Sequence, residues 1–129
     1  MEVERALSEQ DMKRIHAASN ETGALLLLST CGNPDEARRI AKILVDEHLV
    51  SCVNIVKVNS VYRWKDQAEE SQEHLLIAKT RLSTYEKAEK RIRALHRYEL
   101  PEIIALRIEK GYAPYLDWIT RNVCTSESG

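Results

Sequence analysis

Three observations on this 129-residue chain predict an α+β fold, a ferredoxin-like βαββαβ antiparallel sheet with a long protruding hairpin and a C-terminal helix. Stretches of strand and helix periodicity alternate in that order along the sequence. The right-handed crossover rule makes a split βαβ sheet, with helices on one face, the economical way to close such an order. A run from Ser51 to Trp64, free of glycine and proline, is too long for a compact domain to contain. A composition of 43% hydrophobic against 30% charged residues is enough for one packed core.

Residues 1–22 scatter Val3, Leu7, Met12 and Ile15 among polar positions, so a mobile arm is expected there. Ala24 to Leu28, followed by Ser29-Thr30-Cys31 and Gly32, is an apolar run that suits a strand buried on both faces. Asn33-Pro34-Asp35-Glu36 starts a helix: Asn33 caps it, Pro34 needs no donor at the first position, and Glu36 closes a capping box. Ala37, Ile40, Ala41 and Leu44 then share the packed face, and the helix ends near His48 and Leu49.

The β-branched and aromatic run to Trp64 places Val56, Val58, Ser60, Tyr62 and Trp64 on one face of a long second strand. A loop at Asp66 and Gln67 leads to a third strand ending Leu75-Leu76-Ile77-Ala78-Lys79-Thr80, which makes a hairpin. Ser83-x-x-Glu86 opens the second helix as a capping box, with Tyr85, Ala88, Ile92 and Leu95 inward and an end near Arg97. After Pro101, Ile103 to Ile108 alternates as a fourth strand. Pro114 permits a last helix carrying Tyr115, Leu116, Trp118, Ile119 and Val123. The domain is thus expected over 23–124, with 125–129 a disordered tail.

The strand from Ser51 to Trp64 would span about 45 Å, whereas a chain of this size has a radius of gyration of about 14 Å. The hairpin therefore overhangs its own domain. An overhanging hairpin, bare edges and an exposed apolar sheet face call for a partner, so an obligate homo-oligomer whose hairpins extend the neighbours' sheets is expected.

Several functional classes are excluded. A net charge of -1 provides no general field for nucleic acid or an anionic membrane, and no such partner is expected. The longest apolar run falls far short of a bilayer span and no apolar leader is visible, so the cytoplasm is the default compartment. Four glycines cannot form a Walker loop or a dinucleotide fingerprint, and three scattered cysteines suit a reducing environment. Lys87, Lys90, Arg91, Arg93 and Arg97 give the second helix a basic side, but Glu86 and Glu89 interleave with them as on a solvated helix surface.

The strings Cys31-Gly-Asn-Pro-Asp-Glu-Ala37, Ser51-Cys-Val-Asn-Ile55, Tyr62-x-Trp64, Lys79-Thr80, His96-x-Tyr-x-x-Pro-Glu102 and Gly111-x-x-x-Tyr-Leu-x-Trp118 occur in order. Taken together, they resemble the CutA family of divalent-cation tolerance proteins over roughly Ala24 to Val123. The resemblance implies a ferredoxin-like protomer in a tight homotrimer, an architecture like that of the PII-type signalling proteins, a role linked to copper or other divalent metals, and no catalytic reaction. It also implies a metal site made of a cysteine after the first strand and two adjacent histidines after the second helix. Here these positions hold Cys31, Leu95 and His96, so one ligand of the pattern is replaced, and Arg97 stands where a proline is usual.

A thiolate and an imidazole at Cys31 and His96 would suit a copper ion or zinc, with Glu99 or Glu102 adding an oxygen. Equally, Cys31 reads as a small buried residue and His96 as a helix terminus at the negative end of the dipole. Tyr62, Trp64, Lys79, Glu102, Tyr115 and Trp118 are candidates for an inter-subunit cleft or interface, where a PII-like trimer would take a small anion or a partner protein.

Overall fold

The computed structural model describes residues 23–124, and the expected arm at 1–22 and tail at 125–129 lie outside the described residues. The order is β1 (Ala24–Cys31), α1 (Pro34–Asp46), β2 (Cys52–Trp64), β3 (Gln67–Arg81), α2 (Tyr85–Leu95), β4 (Ile103–Arg107) and α3 (Ala113–Arg121). The sheet runs β2-β3-β1-β4 with every neighbour antiparallel. This is the ferredoxin-like arrangement expected from the sequence.

Register assigns the faces, because residues opposite each other share a side of the sheet. Leu25, Leu27, Ser29 and Cys31 lie opposite Thr80, Ala78, Leu76 and His74. From this face Leu27, Cys31, Leu76 and Ala78 join Ala37, Ile40 and Leu44 of α1 and Ala88 and Ile92 of α2 in the main core. Both helices pack with the residues their periodicity predicts.

On the other face Leu26, Leu28, Leu75, Ile77, Ile104 and Leu106 stand together. α3 covers one end of it, where Leu116, Ile119 and Val123 close on Ala24. The rest has no cover among the described residues: Val56 is 43% exposed, Ile104 51% and Leu106 54%. The expectation of a first strand buried on both faces therefore holds only in part, since Leu26 and Leu28 are half-buried.

The hairpin closes through Lys65 and Asp66 alone, with Trp64 opposite Gln67. Both turn residues have positive φ, 50° and 67°, the left-handed pair that a two-residue type I′ turn needs. No glycine supplies it.

Two capping expectations are corrected. Asn33 accepts from the Glu36 N–H at 2.8 Å as predicted, but the Glu36 carboxylate does not return to the cap. It is only 3% exposed and accepts the Arg97 N–H at 2.8 Å instead, because a tertiary partner offers it a buried donor. Ser83 caps nothing: it lies in a 3₁₀ turn at Leu82–Thr84, and the Thr84 hydroxyl donates to the Cys124 carbonyl. The two helices are also joined at their ends. Arg91 forks onto Glu47 at 2.9 and 2.8 Å, which holds that carboxyl below its usual range, and Arg39 donates to the Leu95 carbonyl at 3.1 Å.

Truncating Ile92, which is fully buried between α2 and the sheet, should cost about 2–5 kcal/mol in urea unfolding, and Asn33→Ala about 1 kcal/mol. A loss below about 1 kcal/mol for Ile92→Ala would contradict the core described.

Candidate functional site

β1 ends in Thr30, Cys31 and Gly32, and a knot of buried polar groups forms around that end. Cys31 is fully buried. Burial first, and then the carboxylates of Glu36 and Glu73, push its thiol up to about 12, against a weaker opposing pull from Arg39. At neutral pH the sulfur carries its proton and is a poor nucleophile, and a metal would have to displace that proton to bind it.

His96 terminates α2, with its backbone N–H on the Ile92 carbonyl and a ring that is fully buried. Nε2 lies 2.7 Å from the Thr30 carbonyl oxygen, and Nδ1 lies 3.0 Å from the Tyr98 N–H. A carbonyl only accepts and an N–H only donates, so Nε2 holds the ring hydrogen and Nδ1 the lone pair. Both nitrogens are occupied. Glu36 stands 3.8 Å from Nδ1 and is itself satisfied by Arg97.

Tyr98 completes the knot. Its hydroxyl donates to Glu73 at 2.7 Å, and its ring tilts against His96 with centroids 4.8 Å apart. Burial and the Glu73 carboxylate hold the phenol well above its ordinary range. A Cβ at position 32 would stand 3.0 Å from the Tyr98 oxygen, so glycine there allows the ring its close approach.

The predicted trio of Cys31, His96 and Glu99 does not form a metal centre in this arrangement. The thiol is protonated, both imidazole nitrogens are engaged, and Glu99 is exposed. Among the described residues no three of His, Cys, Asp and Glu converge as a metal would need. The residues that actually surround Cys31 and His96 are Glu36, Glu73 and Tyr98, none of which was singled out as a site residue. Glu36 and Tyr98 did lie within the recurring strings, Cys31 to Ala37 and His96 to Glu102.

The six cleft candidates separate in space. Lys79 lies opposite Cys52 and donates to Asn54. The Cys52 sulfur is 3.8 Å from the Tyr115 hydroxyl, and Tyr115 stacks on Trp118 at 5.5 Å and 20°. These groups share one exposed region where α3 crosses the sheet. Tyr62, bonded to Ser71 at 3.3 Å, and Trp64, with Lys65 6.0 Å from its ring, sit about 40 Å along β2 at the far end of the hairpin. Within one chain the two groups do not meet. Glu102 is exposed just before β4.

The sequence profile described as "CutA1 divalent ion tolerance protein" matches residues 25–122. The chain is 46% identical over 98 residues to the divalent-cation tolerance protein CutA of Thermus thermophilus, covering 75% of this chain and 95% of that one. It is 35% identical over 116 residues to the chloroplastic protein CutA 1 of Oryza sativa, covering 89% of this chain and 66% of the rice protein. The solved structure of the Thermus thermophilus protein superposes with a TM-score of 0.77 at 44% identity, covering 78% of this chain and 99% of that one.

The raised Cys31 thiol makes a sign-specific prediction. The fold holds this group protonated, so its contribution is fully present below the ordinary thiol value of 9.0 and is lost as pH rises toward about 12. Tyr98, also raised, acts in the same direction. Urea midpoints should therefore fall through this alkaline window, less steeply in Cys31→Ala. A wild-type profile that stays level there would contradict a buried, protonated thiol.

Proposed function

Because the chain belongs to the CutA family of divalent-cation tolerance proteins, we propose that it serves divalent-cation tolerance, with copper as the cation, as a homotrimer that catalyses no reaction. The observation that carries the assembly is the apolar sheet face beside the overhanging hairpin. Ile104, Leu106 and Val56 are exposed on that face, and β2 and β4 end the sheet, each pairing with one strand among the described residues. Neighbouring copies would cover this face and pair these edges, as expected of a closed ring with heterologous contacts. The family resemblance supplies the number three. All three cysteines are unpaired, which supports a reducing compartment, the cytoplasm.

A second reading, a PII-like trimer that takes a small anion or a partner protein at the inter-subunit cleft, draws on one observation. Lys79 and the Tyr115–Trp118 stack share an exposed region of the open face, where a cation and an aromatic platform stand together.

Two measurements test the first reading. Sedimentation equilibrium at micromolar concentration should give a trimer, and a folded monomer would overturn the assembly. In a calorimetric Cu(II) titration of the reduced protein, Cys31→Ala and His96→Ala should leave stoichiometry and affinity unchanged, since the Cys31 thiol is buried and protonated and both His96 ring nitrogens are engaged. Loss of binding in both variants, with the trimer intact, would restore that pair as the copper site.

A further inference from the structure

Between the buried His96 ring and half-buried Pro101, residues 97–100 form no helix or strand and are exposed to solvent, with Leu100 76% exposed. No apolar side chain of the segment is buried. It is nevertheless fastened by three hydrogen bonds, Arg97 N–H on Glu36, Tyr98 N–H on His96 Nδ1 and the Tyr98 hydroxyl on Glu73, beside the tilted contact of the Tyr98 ring with His96. Glu36 belongs to α1 and Glu73 to β3, so the fastenings reach two separate elements. Of the three, only the Tyr98–Glu73 bond joins two side chains.

We propose that Arg97 to Leu100 is a strap that opens as a unit while the sheet and helices stay folded, and that Tyr98 is its fastening. A segment held chiefly by hydrogen bonds that water can replace, whose one ring contact is made by a side chain still 37% exposed, opens more readily than the core beneath it. Tyr98 lies against Gly32, next to Cys31, so lifting it gives solvent a way to the thiol and also frees His96 Nδ1 and the Glu36 and Glu73 carboxylates. The closed strap keeps these groups inert. The open one presents them together.

Cys31 reports the opening. In a Cys52→Ser, Cys124→Ser background it is the remaining cysteine, and Ellman's reagent reads its exposure. The Cys31 thiolate attacks the aryl disulfide, one mixed disulfide forms, thionitrobenzoate leaves, and the thiol proton passes to solvent. Tyr98→Phe, which keeps the ring and removes the hydroxyl, should raise the rate about tenfold, and Glu73→Ala likewise. Glu73→Gln, whose amide oxygen still accepts, should stay within about twofold of wild type. The wild-type rate should not respond to low urea, as expected of a small opening rather than global unfolding. Equal rates in Tyr98→Phe and wild type, with the same oligomer present, would overturn the strap, as would a wild-type rate that climbs with urea from the first addition.

Discussion

A four-stranded sheet has two broad faces, and the described helices cover about one and a half of them. That shortfall governs the rest of the molecule. α1 and α2 seal one face around Leu27, Ile40 and Ile92, while α3 covers the other only where Leu116 and Ile119 meet Ala24. The uncovered remainder is made of residues that normally seek the interior. The same strands carry the overhanging hairpin, so the demand for burial and the means of reaching another chain arise in one element.

At the end of β1 the constraint is different, because a carboxylate, an imidazole, a thiol and a phenol are crowded beside apolar side chains. Burying such groups is costly unless each finds a partner. Here they partner each other and the backbone: Glu36 with Arg97, His96 with Thr30 and Tyr98, Tyr98 with Glu73. The result draws α1, β1, β3 and the chain after α2 to one point. Chemistry that looks like a ligand set in the sequence is taken up by the fold itself, and Cys31 is left protonated within it.

What could be read in advance follows from how local each signal is. The helical faces at Ala37, Ile40 and Leu44 and at Ala88 and Ile92 are set by spacing within a few residues, and the structure places them as spacing predicts. The long hairpin was legible because a run without glycine or proline has no other economical course. Glu36 was misread because its position satisfies the local capping rule, while its real donor lies 61 residues away at Arg97. Glu99 and Glu102 read as oxygen ligands beside His96 because a carboxylate is a familiar ligand, yet both are exposed and it is Tyr98 that turns inward to Glu73. Distance along the chain, rather than chemical type, separates what could be read from what could not.

The two-residue closure of the hairpin at Lys65 and Asp66 bears on the order in which the chain organises itself. Loop-closure entropy rises with the length of chain enclosed, so rungs next to the turn, beginning with Trp64 and Gln67, form at the least cost. The outermost rung of that ladder joins Cys52 to Lys79, whereas β1 must bring Leu25 to Arg107 across most of the domain. Local pairing of this kind zips in microseconds, and distant pairing lags behind it. The overhang is therefore the cheapest part of the sheet to close, and the platform it projects from the costliest.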